Sequence, residues 1–301
     1  MVDRLRVGYV GVGLMGHGAA KNILLKGWPL AILGHRNRAP VDDLVARGAV
    51  EVTSPAALAA ACDVICLCLP GAREVEALLI DRGLLNALRP GTIIVDSTTS
   101  LPDVTRRLGG LLAAKGCAMV DAPIGRSPKE AQEGRLSCIL GGAPADVARV
   151  RPIVEAFAEV VIEAGALGNG LMVKLLNNSV SFSNAVIIAE AVATAARMGV
   201  SIEALCAMIE AGGSNSTMFQ WIVPWLRAGD DSLGRGRLAA GTQVHETYRS
   251  LTAAAGIETP MADAVSAVMA RVLAAGHGDR FIPTLPGVLA ELAGTPIRPL
   301  D

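Results

Sequence analysis

The 301-residue sequence predicts an α/β protein: a doubly wound, mostly parallel sheet in the N-terminal half, followed by an all-α domain. Three observations predict it. Short apolar runs alternate with helical stretches over the first half of the chain. No convincing strand follows Gly165. A glycine-rich boundary, Gly165–Gly168, separates the two regimes and fits a hinge. The expected domains are residues 1–165 and 166–301.

Composition narrows the class. The chain is 51% hydrophobic and 18% charged, which calls for a large core or an extensive subunit interface. A formal net charge of -1 argues against a nucleic-acid partner, which would demand a basic patch. The six cysteines form no CxxC pair, and Cys66 and Cys68 alternate within VICLCLP, as core thiols do. No zinc pattern is visible, so no metal is expected. The N-terminus lacks an apolar leader and no clean run of 18 apolar residues occurs, so the chain reads as soluble, reduced and cytoplasmic, with no membrane partner.

The first strand is Arg6–Val10 (RVGYV). Gly11-Val12-Gly13-Leu14-Met15-Gly16 follows, fits G-x-G-x-x-G, and runs into the helical pattern Gly18–Lys26. The first glycine permits a tight turn, the second lets backbone approach a pyrophosphate, and the third lets helix and strand pack closely. The helix N-terminus then offers free N–H groups to phosphate. Gly11, Gly13, Leu14, Met15 and Gly16 are therefore candidate dinucleotide-binding residues of a Rossmann-type domain; the bland alternative is a plain strand-turn-helix connection.

The second strand is Pro29–Gly34, ending in His35-Arg36-Asn37-Arg38. A site preferring NAD places an acid about 20 residues past the glycines to bind the ribose 2′-hydroxyl. Here Arg36 occupies that place, 20 positions after Gly16, and no carboxylate follows until Asp42. An arginine suits a 2′-phosphate, so NADP is expected over NAD, with His35 and Arg36 at the adenosine end. Alternatively Arg36 and Arg38 are solvated turn residues that stack on adenine.

Further strands are expected at Asp63–Pro70, Thr92–Asp96, Ala118–Val120 (leading into DAPI), Leu136–Gly141 and Glu159–Ile162. Helices are expected at Pro40–Arg47, Pro55–Ala61, Ala72–Leu79, Leu101–Lys115 and Ala145–Phe157. Beyond the boundary, helices are expected at Ala185–Met198 (starting as early as Gly170), Ile202–Ala211, Thr217–Ala228, Gly241–Ala255, Met261–Gly276 and Phe281–Leu292. Ala185–Met198 is apolar nearly all round, which indicates burial beyond one amphipathic stripe.

Within Gly168–Asn178, Lys174 and Asn178 stand four apart and share a helix face. Leu171, Met172, Val173, Leu175 and Leu176 surround Lys174. Dehydration in such a setting lowers a lysine's pKa and equips it for proton transfer; the alternative is a lysine snorkelling from a helix edge.

With these motifs in order, the sequence resembles the β-hydroxyacid dehydrogenases, the group of 3-hydroxyisobutyrate dehydrogenase and tartronate semialdehyde reductase, over essentially its whole length. Gly8–Gly16 with Ala20, Asn22 and Gly27 matches the cofactor signature, Asp121-Ala122-Pro123-Ile124 opens the substrate signature, and Gly168–Asn178 matches the catalytic one. The resemblance implies an NAD(P)-dependent interconversion of a short β-hydroxy acid and its semialdehyde, a small anionic substrate. It implies Lys174 as general acid/base with Asn178 beside it, and cofactor contacts at Leu69, Pro70, Thr98 and Thr99. It also implies a homodimer or homotetramer. Two departures stand out. The usual Ser-Gly-Gly after DAP-I is Gly125-Arg126-Ser127, similar to sulfolactaldehyde reductase, so Arg126 and Ser127 are expected to hold the substrate's distal anion, a carboxylate or a sulfonate, with Ser181 on the carbonyl side. The usual Lys-Asp pair of a later helix is Gln243-Val244 here, with Gln243 near the cofactor and His245, Glu246 and Tyr248 read as ordinary helix surface. Rival readings are an imine reductase, against which Lys174 argues, and a non-catalytic NADP-binding module.

Overall fold

The computed structural model describes residues 4–34 and 36–297. Its first half alternates strands and helices: β1 (Val7–Val10), α1 (Gly16–Leu25), β2 (Leu30–Leu33), α2 (Ala39–Ala46), β3 (Val50–Val52), α3 (Pro55–Ala61), β4 (Val64–Leu67), α4 (Ala72–Glu76), α5 (Leu84–Ala87), β5 (Ile93–Asp96), α6 (Pro102–Ala113), β6 (Ala118–Asp121), β7 (Ile124–Gly125), α7 (Pro128–Glu133), β8 (Leu136–Gly141), α8 (Pro144–Val154) and β9 (Ala158–Gly165). The strands form one sheet in the order β3-β2-β1-β4-β5-β6-β8, and β7 and β9 both pair with β8. From β3 to β6 every pairing is parallel; β8 runs antiparallel to β6 and β7 and parallel to β9.

Period-two alternation explains why β1 and β4 read as unbroken apolar runs. Val7, Tyr9, Val64 and Cys66 enter the core on one face, and Val10, Ile65 and Leu67 the core on the other. A parallel sheet with helices on both sides buries both faces of its strands. The six cysteines are free, and five are buried. Burial pushes the Cys66 thiol up to about 12 and Cys68 up to about 11, so both remain protonated packing groups.

One compact unit ends at Lys174 and the second begins at Leu175. The second unit is helical: the rest of α9 (Asn169–Met198), then α10 (Ile202–Ala211), α11 (Thr217–Ala228), α12 (Leu238–Ala254), α13 (Pro260–Ala274) and α14 (Leu285–Leu292). Its core gathers Phe182, Phe219, Ile222, Trp225, Val265, Met269 and Leu285. By length and composition α9 is long and apolar enough to cross a membrane, but half of its apolar window is buried within the protein, as in a core helix.

Two buried carboxylates close neighbouring strands. Asp96 ends β5 and Asp121 ends β6, in register with each other. Asp96 Oδ1 accepts a hydrogen bond from the Thr98 backbone N–H at 3.0 Å, while its Oδ2 is buried without a partner among the described residues. Burial, with a smaller repulsion from Asp121, pushes the Asp96 carboxyl up to about 6. A carboxyl whose pKa rises on folding favours the folded state while protonated and loses that contribution as pH climbs through the raised value. Wild type should therefore lose stability relative to Asp96→Asn between about pH 4 and about pH 7, by roughly 1–3 kcal/mol in urea unfolding. A difference between the two proteins that does not change with pH would contradict this account of Asp96.

Candidate active site

The turn from β1 into α1 is shaped for close approach. Gly11 has a φ of +94°, and a Cβ there would collide with the Cys68 carbonyl. A Cβ on Gly16 would strike the Gly11 carbonyl. At Gly13 a Cβ would meet nothing within 4 Å, because this residue faces a cleft of about 570 Å³. That cleft is lined by Gly11–Gly16, by Leu33 and Gly34 of β2, by Leu69 and Pro70, and by Glu74 and Arg82. Bare backbone at a helix N-terminus, an open space before it and apolar walls fit a dinucleotide. Leu14 is exposed and Met15 half-buried at its mouth.

Thr98 anchors the far end. Its Oγ1 accepts a hydrogen bond from the Leu69 N–H at 3.0 Å, and its own N–H is held by Asp96. Asp96 thereby orders both the Leu69-Pro70 loop and the Thr98-Thr99 loop. Thr98 is buried and Thr99 exposed.

At the end of β2 one expectation needs correcting. A carboxylate does stand there, supplied from β3: Glu51 Oε1 occupies the place a Cβ on Gly34 would take. Sequence spacing along β2 could not reveal a side chain that arrives from the neighbouring strand. Arg38 forks onto Glu51 at 2.7 and 2.9 Å and reaches Asp42 at 3.0 Å, which neutralises that carboxylate. Arg36 is exposed beside them, and His35 lies outside the described residues.

The substrate signature meets the catalytic one at Gly125. A Cβ on Gly125 would lie 3.5 Å from Lys174 Nζ and 2.5 Å from Ser137 Oγ, so ammonium and hydroxyl converge on this backbone. Ser137 gave no signal in the sequence; it reaches the site because β7 pairs with β8, Gly125 opposite Ser137. Lys174 is half-buried, has no ion-pair partner among the described residues, and is held below the ordinary lysine range by burial. A lysine so placed can exchange a proton with a substrate oxygen at modest cost.

Arg126 and Ser127 are both engaged. Arg126 adopts a φ of +76°, the left-handed value that glycine favours, and it is the sole non-glycine with positive φ among the described residues. Its guanidinium binds the Arg135 carbonyl and the Glu159 carboxylate, which this ion pair lowers. Ser127 N-caps α7 in a capping box with Glu130, its hydroxyl accepting from the Lys129 N–H and donating to Glu130.

Asn178 lies one turn beyond Lys174 on α9 and, like Ser181, is half-buried; Gln243 is exposed on α12. His245, expected on the surface, is 1% exposed. Its Nε2 donates to the Ala262 carbonyl at 3.1 Å, which leaves Nδ1 bare to face the Ser179 hydroxyl at 3.5 Å. An apolar helix face had room for a satisfied histidine, and polarity alone misplaced it.

Known domain families match both parts of the chain. Residues 6–168 match the NAD binding domain of 6-phosphogluconate dehydrogenase, and residues 168–282 the NAD-binding domain of NADP-dependent 3-hydroxyisobutyrate dehydrogenase. The chain is 31% identical to L-threonate dehydrogenase of Cupriavidus necator over 226 residues, 74% of this chain and 76% of that protein. It is 33% identical to 3-sulfolactaldehyde reductase of Escherichia coli over 186 residues, 62% of each. A 3-hydroxyisobutyrate dehydrogenase from Mycobacterium tuberculosis, solved with L-serine, superposes with a TM-score of 0.83 at 24% identity, over 95% of this chain and 99% of that one. With these matches running from residue 6 to residue 282, the chain belongs to the NAD(P)-dependent β-hydroxyacid dehydrogenases.

Proposed function

We propose that the protein reduces a short aldehyde carrying an anionic group to the matching β-hydroxy acid or hydroxy sulfonate, and runs the reverse, with NADP preferred over NAD. The observation that carries this reading is the partly buried ammonium of Lys174 at the Gly125 backbone, without a bonding partner among the described residues. When bound, the nicotinamide supplies or takes up the hydride.

In the reducing direction Lys174 Nζ gives its proton to the oxygen of the developing alkoxide, and in the oxidising direction the neutral amine takes it back. Asn178 and Ser181 hold the carbonyl side, and Gly125, Arg126 and Ser127 receive the distal anion. Arg126 would then exchange Glu159 for the substrate; an ion pair this exposed contributes little, so the exchange is cheap. A planar fork binds carboxylate and sulfonate alike. The named activity of the Escherichia coli relative, a 3-sulfolactaldehyde reductase, favours testing a sulfonate beside the carboxylates. Gly11, Gly13, Leu14, Met15 and Gly16 take the pyrophosphate, Leu69, Pro70, Thr98 and Thr99 the nicotinamide ribose side, His35 and Arg36 the adenosine end, and Gln243 the place of the usual lysine. Arg38 supports the NADP preference by neutralising Glu51, so that Arg36 meets a 2′-phosphate without a competing free carboxylate. We further propose a cytoplasmic homodimer or homotetramer; on α9, Val180 and Ile187 are 63% and 49% exposed, as a subunit interface would require.

Two outcomes follow. Lys174→Ala should fold, bind NADPH with unchanged affinity, and lose about 10²–10⁴-fold in kcat with sulfolactaldehyde or tartronate semialdehyde. Near-normal turnover in that variant would remove Lys174 from the chemistry. Arg36→Ala should weaken NADPH binding about 10–100-fold, the worth of one charge-assisted contact, and leave NADH binding within about twofold in fluorescence titration. Equal effects on both cofactors would contradict a 2′-phosphate contact.

A further inference from the structure

Burying a carboxylate is costly unless strong partners meet it. Asp121 is 0% exposed, and its two oxygens accept two backbone N–H groups: Gly168 to Oδ1 at 2.6 Å and Leu171 to Oδ2 at 2.7 Å. Gly168 immediately precedes α9 and Leu171 lies in its first turn, where a helix start has N–H groups without internal acceptors and the positive end of its dipole. Both bonds are short, as charge-assisted bonds are, and they offset part of the burial that holds the Asp121 carboxyl above its ordinary range. Two glycines make room for the carboxylate. A Cβ on Gly141 would collide with Oδ1, and one on Gly170 would lie 2.7 Å from Oδ2 and 2.6 Å from the Ile139 carbonyl.

The route through the fold gives this cap a consequence beyond stability. Lys174 follows Leu171 by three residues, about 4.5 Å further along the same helix. Asp121 pairs with Gly141 of β8, β8 pairs with β7 at Ser137 and Gly125, and Lys174 Nζ comes back to Gly125. Both members of the Lys174–Gly125 contact are thus referenced to one pair of strand ends. No other side chain among the described residues bonds to Lys174, so the ammonium is placed by its helix alone.

We infer that Asp121 is the positioning residue for Lys174: its carboxylate fixes the first turn of α9 on the sheet and thereby sets the ammonium at the Gly125 cradle. This rests on the reading of Lys174 as the proton donor.

The test is Asp121→Asn in the full chain. A carboxamide has one acceptor oxygen, so one of the two N–H groups loses its partner and the helix start shifts. We expect NADPH affinity within about twofold of wild type, kcat about 10–100-fold lower with sulfolactaldehyde or tartronate semialdehyde, and a Lys174 titration displaced upward as the ammonium regains water. That titration is followed by NMR of ¹³Cε-lysine protein, the signal being identified by its absence in Lys174→Ala. Because the reducing direction needs protonated Lys174, the alkaline fall of kcat should move to higher pH in step. A core variant of the same unit, Val150→Ala, should lose stability without moving either readout. Should Asp121→Asn fail to fold, Gly170→Ala displaces the same turn with the carboxylate intact and should give the same shift. Asp121→Asn with wild-type kcat, or with an unmoved Lys174 titration, overturns the inference. A Lys174→Ala enzyme that still turns over defeats the reading of Lys174 instead, and the NMR titration still reports whether Asp121 places it.

Discussion

Two hydrogen bonds to the carboxylate of Asp121, one from Gly168 just before α9 and one from Leu171 in its first turn, join that helix to the sheet. Much else follows from that constraint. A carboxylate can be buried at this strand end because helix N–H groups and the helix dipole meet it. Gly141 and Gly170 are glycines because that carboxylate needs their volume. Among the described residues Lys174 has no counter-ion, and the helix, not an ion pair, decides where the ammonium stands. A counter-ion would hold the proton more tightly and offset the burial that lowers the ammonium's pKa.

The same logic runs along the C-terminal ends of the strands. Asp96, one strand over, holds Thr98, and Thr98 holds Leu69, so the two loops on the cofactor side are ordered by one buried carboxylate. Where charges face water they are paired instead: Arg38 with Glu51 and Asp42, Arg126 with Glu159. These exposed pairs add little to stability. The division is between buried carboxylates that shape backbone and exposed ion pairs that can change partners.

The fold was legible wherever periodicity or punctuation was strong. G-x-G-x-x-G between an apolar tetrad and a small-residue helix, the VICLCLP run, and the long apolar stretch before Met198 each placed an element within a few residues. Short pieces were missed: β3 and β7 have three and two residues, too few for any period to show. Helix α7 carries a capping-box signature in Ser127-Pro128 and Glu130, but its six residues are too few to show a helical period. At the site, sequence showed which residue types stand where but not what crosses between strands. Glu51 beneath Gly34, Ser137 opposite Gly125, Glu159 on Arg126 and Asp121 under α9 are contacts between segments distant in the chain, and no local spacing encodes them.

The most direct test of the central claim is NADPH oxidation by the purified protein against a panel of aldehydes: sulfolactaldehyde, tartronate semialdehyde, succinic semialdehyde and methylmalonate semialdehyde, beside an uncharged aldehyde and a cyclic imine. The account predicts turnover with at least one anionic aldehyde, far slower reaction of the uncharged one, and none with the imine. Turnover of the imine alone, or none of the panel while NADPH still binds, would contradict it.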